Sequence, residues 1–155
     1  MSFSESRTWR DHAMEELLLH GESFFRLVQA RVEVRLRGWK VSLEGMTDCD
    51  GAGVGDEADV PALGEVRRLE AALLRSSRWI PGTTCIHRSL AAVRILRRRG
   101  SPARVVIGLR RRGSRFQGHA WVEIAATGQI CRAFWSPEGG YVEIEDLRLA
   151  QFSFL

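Results

Sequence analysis

The 155 residues predict an α+β domain: N-terminal helices first, then a cysteine-bearing helix packed on an antiparallel sheet. Two observations carry this. Apolar residues recur at helical spacing up to Gly100, and with a period of two after it. The apolar runs after Gly100 are short and are separated by RRRGSR and SPEGG, both rich in turn formers. Composition agrees, since 45% hydrophobic and 27% charged residues is the balance of a chain that buries a core.

The first helix is expected from Asp11 to about Arg37, with Met14, Leu17, Leu18, Phe24, Phe25, Leu27 and Val28 as its apolar stripe. Asp11 fits the N-cap and Gly38 the stop, while Gly21 leaves open a division into two shorter helices. From Val41 to Val60 the glycine- and aspartate-rich DCDGAGVGDEAD reads as a loop. It is not a calcium loop, because no glutamate stands at the twelfth position counted from Asp48. A second helix is expected from Pro61 to Trp79, with Leu63, Val66, Leu69 and Leu73 inward. Pro81-Gly82 then breaks the chain. Thr83 or Thr84 caps a third helix, whose buried stripe is Ile86, Leu90, Val93 and Leu96 and whose stop is Gly100. Strands follow at Ala103–Leu109, Gly118–Ala125, Gln129–Trp135 and Tyr141–Ile144, read as an antiparallel meander. Residues 1–60 form a helical region with an acidic loop, and residues 61–155 form the core.

Several classes drop out. No uncharged apolar stretch is long enough to cross a membrane, and the first residues lack the apolar segment of a secretory signal. Cys49, Cys85 and Cys131 are too few for a disulfide framework and contain no CxxC pair, so neither a metal nor a cofactor is expected, and a reducing cytoplasm is the expected home. The charge is uneven. Residues 1–66 hold 7 basic and 13 acidic side chains, and residues 67–155 hold 16 and 6. Arg88 to Arg115 contains ten arginines and no acid, a candidate docking surface for an acidic peptide or protein. Nucleic acid is the usual reading of such a run, but the aromatic side chains that stack on bases are nearly absent from it.

Cys85 falls in the first turn of the third helix. Free backbone N–H groups, the helix dipole and Arg88 one turn on are expected to lower its pKa and to suit it as a nucleophile. A base is needed, and four histidines are available. His12 and His20 sit on the first helix, and His87 is two residues from Cys85 and so points elsewhere. His119, in the strand GHAWVEI, is the remaining candidate.

The segments TTCIHRSLAAVRILRRRGSPARVVIGLRRR, FQGHAWVEI and GQI resemble the transglutaminase-like cysteine proteases of lasso-peptide biosynthesis over about residues 80–132. There a cysteine opens a helix similar to CxxRSLAxxxLLRRRG, and a histidine follows in a strand similar to HAWVE. The resemblance implies a transglutaminase/papain-like core and a leader peptidase, with Cys85 as nucleophile and His119 as base. Arg88 and Ser89 would support the cysteine loop, Trp121 is read as core rather than as a wall of the cleft, and Glu123 as structural or solvated. The implied partners are the precursor's leader, a separate leader-recognition protein and a lasso cyclase, with no nucleic acid and no membrane. One departure stands out: many members carry an aspartate as third triad residue, and here Arg132 or Ala133 occupies its place, with Glu138, Glu143, Glu145 and Asp146 the nearest downstream acids. Cys131 is read as a buried spectator. The missing aspartate motivates a second reading, a weak or inactive scaffold that presents the precursor to the cyclase. A basic nucleic-acid-binding module is the third.

Overall fold

The computed structural model describes residues 3–47, 61–126, 129–134 and 140–144. Four helices and four strands follow in order: α1 (Phe3–Arg37), α2 (Trp39–Leu43), α3 (Leu63–Ser77), α4 (Cys85–Arg98), β1 (Ala103–Arg112), β2 (Arg115–Ala126), β3 (Gln129–Ala133) and β4 (Val142–Glu143). The sheet is antiparallel with order β3-β2-β1-β4. This confirms the α+β class and corrects the meander. β4 does not lie beside β3 but returns to the far edge, pairing Gly108 with Glu143. Gly108 admits it: a Cβ there would lie 3.0 Å from the Val142 carbonyl oxygen.

α4 is the central element. Its stripe of Ile86, Leu90, Val93 and Leu96 is buried as expected, and it packs against α1, α3, β1 and β2. Period-two alternation sets the sheet face it covers. Ala103, Val105 and Ile107 on β1 and Ala120, Val122 and Ile124 on β2 are all buried, and they are paired across the strands as Ala103–Ile124, Val105–Val122 and Ile107–Ala120. Gly100, with φ 81°, ends the helix in the left-handed conformation that glycine adopts most readily. β3 ends at Ala133, where Phe134 turns out of the strand with φ 60°, and Trp135 of the expected span lies outside the described residues.

α1 differs most from expectation. It runs unbroken through Gly21, and of the predicted stripe only Leu27 faces inward. Leu19, Ser23, Leu27 and Ala30 are buried, whereas Met14, Leu17, Leu18, Phe24, Phe25 and Val28 are exposed. At about 100° per residue the two sets lie on opposite sides of the helix. Small residues at 23 and 30 let α1 approach α3 and α4 closely. The flanking acids then fix the choice of face: Glu16 binds Arg68 at 2.7 Å, Glu22 binds Arg99 at 2.9 Å and Glu33 binds Arg94 at 2.6 Å. Leu63, expected inward, is exposed at the first residue of α3, while Val66, Leu69 and Leu73 are buried. Part of the expected loop after Val41 is α2, and the acidic stretch 48–59, with Cys49, lies outside the described residues. No helix among the described residues is long and apolar enough to cross a membrane.

Candidate active site

The site begins where α1 clamps the turn before α4. The Arg31 guanidinium lies over Gly82, where a Cβ would meet it at 2.5 Å, and its Nε donates to the Pro81 carbonyl at 3.2 Å. Gly82 has φ 73°, so the close approach and the backbone both call for glycine. Of the two candidate caps, Thr84 takes the role. Its N–H donates to Nδ1 of His87 at 2.9 Å, so a histidine fills the third-residue position of a capping box. His87 therefore points back at the cap, away from the chemistry.

Burial, with the Arg31 and Arg88 charges behind it, lowers the His87 pKa from 6.5 to about 4. Between those values the unfolded chain binds a proton that the folded chain refuses. Stability is thus at its full value above pH 6.5 and falls as pH drops toward 4, by about 3 kcal/mol. His87→Gln keeps an acceptor for the Thr84 N–H and removes the titration. Its urea midpoint is expected to change less than the wild type's between pH 7 and 4.5, and an equal change in both would refute the assignment.

Cys85 is 2% exposed. Burial raises its pKa, opposed by the Ala120 N–H against the sulfur, the Arg88 charge and the N–H groups of Ile86 and Cys85. The expectation of a lowered pKa is therefore corrected: the helix terminus and Arg88 act as foreseen, but desolvation outweighs them. The Ala120 contact places the sulfur on β2. β3 pairs with β2 only from Val122 onward, so the strand edge at Ala120 is left for α4's N-terminus. The cysteine thus lies against the residue that follows His119.

His119 is held on three sides. Its Nε2 lies 2.8 Å from the Phe134 carbonyl oxygen. A carbonyl only accepts, so Nε2 carries the proton and, in the neutral ring, Nδ1 keeps a lone pair. Trp121 stacks on the ring at 6.3 Å between centroids, and Tyr141 lies at 5.0 Å with the Arg110 guanidinium 4.8 Å from its ring centroid. Trp121 is both core and wall of the site. Its ring leans across Gly108, where a Cβ would fall 2.7 Å from two ring carbons. Gly108→Ala is expected to displace the indole from His119, costing about 1–3 kcal/mol of stability. Thermal unfolding checks this, and an unchanged midpoint would mean that the ring yields freely.

Arg132 and Ala133, where the resemblance puts an aspartate, do not reach His119. Arg132 donates to Glu123 at 2.9 Å, and Ala133 is buried opposite Val122. Glu143 pairs with Arg104 at 3.3 Å, and Glu138, Glu145 and Asp146 lie outside the described residues. Phe134, through its main chain, is the contact that the sequence does not announce, and Tyr141 is the second. Glu123 is structural. Although burial works against its charge, hydrogen bonds from Arg104, Arg132 and Trp121 hold its pKa below the ordinary value. Arg88 is half-buried one turn after Cys85, and Ser89 is fully buried. Cys131, expected buried, is partly exposed on β3. Among the described residues no three His, Cys, Asp or Glu side chains are grouped to hold a metal.

The arginine run is not one open surface. Arg94, Arg99 and Arg104 are paired with acids, and Arg97 donates to the Ala103 and Gly45 carbonyls. Arg111, Arg112 and Arg115 stand exposed at the β1–β2 hairpin tip.

The family model described as "transglutaminase-like superfamily" matches residues 24–145. No curated protein and no solved structure matches the chain.

Proposed function

The chain belongs to the transglutaminase-like superfamily, and from that premise we propose that it is a cysteine peptidase that removes the leader of a ribosomally made lasso-peptide precursor. It acts with a separate leader-recognition protein and a lasso cyclase. The observation that carries the catalytic part is the placement of a cysteine at a helix N-terminus against the Ala120 N–H of β2, one residue on from His119, whose Nε2 is fixed by a carbonyl. The lasso-peptide part rests on the motif resemblance around Cys85 and His119. A protein partner also suits the exposed apolar side of α1, which nothing among the described residues covers.

In this reading His119 Nδ1 takes the Cys85 thiol proton as the sulfur attacks the scissile carbonyl. N–H groups of the first turn of α4 stabilise the oxyanion. The imidazolium gives its proton to the leaving amine as the C–N bond breaks, leaving a thioester. His119 then takes a proton from water, the hydroxide displaces the sulfur, and the proton returns to Cys85. Because burial keeps the resting thiol protonated, proton transfer to His119 belongs to the reaction itself rather than preceding it.

Mass spectrometry of a precursor incubated with this protein and its leader-recognition partner tests the reading. A single leader cut made by the wild type and lost in Cys85→Ala is expected. The carbonyl in place of a carboxylate, with the raised thiol pKa, favours one alternative: a scaffold of the same fold that presents the precursor to the cyclase. Bound but uncut precursor with both forms would decide for it.

A further inference from the structure

Phe134 is the one non-glycine residue with positive φ among the described residues, and it does two things at once. Its carbonyl oxygen receives the His119 Nε2–H at 2.8 Å, and its own N–H donates to Oε1 of Glu70 at 2.8 Å. Glu70 lies on α3, half-buried, far from the motifs that surround Cys85 and His119. A phenylalanine at the end of a strand has no intrinsic reason to enter the left-handed region, where its Cβ crowds the following carbonyl. Left to itself Phe134 would continue β3 in extended backbone, and its carbonyl would point elsewhere. Strain of this kind persists only where surrounding contacts over-determine it, and the α3 carboxylate is such a contact.

We propose that Glu70 is a positioning residue for the Cys85–His119 pair: it holds Phe134 in the turned conformation, and the Phe134 carbonyl in turn fixes the tautomer and orientation of the His119 ring. A carboxylate thus acts at one remove, through a main-chain group, in place of one bound directly to the imidazole. This rests on the peptidase reading, with His119 as base.

The experiment compares wild type, Glu70→Gln and Glu70→Ala in the full-length protein. Nitrogen-15 NMR of the histidine rings reports the His119 tautomer without substrate, and leader cleavage reports kcat and KM. Gln retains an oxygen that accepts from the Phe134 N–H, so it is expected to keep the Nε2–H form and most of kcat. Ala is expected to lose the fixed tautomer and to lower kcat by about 100-fold with little change in KM, the scale of an Å-sized misplacement. Glu70→Met, which keeps bulk on α3 without an acceptor, replaces Ala where Ala does not fold. The proposal is overturned if a folded Ala or Met variant keeps the wild-type tautomer and kcat, or if Gln loses as much as Ala. Should the wild type cut no precursor, the peptidase reading fails, and the NMR comparison still decides whether Glu70 sets the ring.

Discussion

On the proposed peptidase reading, His119→Ala is expected to lower leader cleavage by about 10⁴-fold, the full scale of general acid–base catalysis, while precursor binding stays near the wild-type level. The expectation is this large because of the state of the nucleophile. A cysteine that rests as a thiolate needs its histidine mainly to protonate the leaving amine. Burial pushes the Cys85 thiol up, so that it rests protonated and needs a base to react at all. Without the imidazole only the small equilibrium fraction of thiolate attacks. That fraction grows about tenfold per pH step of one below the thiol pKa. The residual rate of the variant, and the alkylation of Cys85 by iodoacetamide, should therefore climb steeply from pH 6 to 8. Rates measured across that range check both parts. A loss below tenfold, or a flat pH dependence in the variant, would mean that the thiolate exists before the base is engaged.

How much of this was legible in the sequence follows from what kind of atom carries each feature. α4 is readable because side chains specify it: a threonine cap at 83 or 84, Ile86, Leu90, Val93 and Leu96 as stripe, and Gly100 as stop. The strands were readable from alternation, except β4, whose place depends on a missing side chain at Gly108 and not on its own two residues. The face of α1 was misread because its outward side is the more apolar one, and ion pairs with α3 and α4 outweigh that signal. At the site, Cys85 and His119 are proposed from residue type and motif. The partner of His119 is not, because it is a main-chain oxygen, and every residue has one. Tyr141 and Glu70 reach the site through a sheet crossing and a helix packing that no local pattern encodes. For the Cys85 pKa the sequence names the right local groups but the wrong direction, since the depth of burial is a property of the assembled fold.

Leu90→Ala should lower stability by about 3 kcal/mol, within the range for deleting a fully buried leucine side chain. For a chain of this size that corresponds to a fall in Tm of about 6–12 °C. Leu90 lies on the stripe of α4, the helix that packs against α1, α3, β1 and β2, so the neighbours that would have to collapse into the cavity are already fixed by contacts of their own. The cost extends to function, because the same helix presents Cys85 to β2. Loosening it should reduce cleavage more than the unfolded fraction alone accounts for. Leu18→Ala on α1 is the control. Leu18 is as apolar and belongs to the stripe that the sequence marks as inward, yet it is 66% exposed. Its replacement should shift stability by no more than about 0.5 kcal/mol. Thermal unfolding of the two variants side by side decides the matter. A large loss in Leu18→Ala and a small one in Leu90→Ala would reverse the assignment of inner and outer faces, and with it the packing that sets Cys85 against Ala120 of β2.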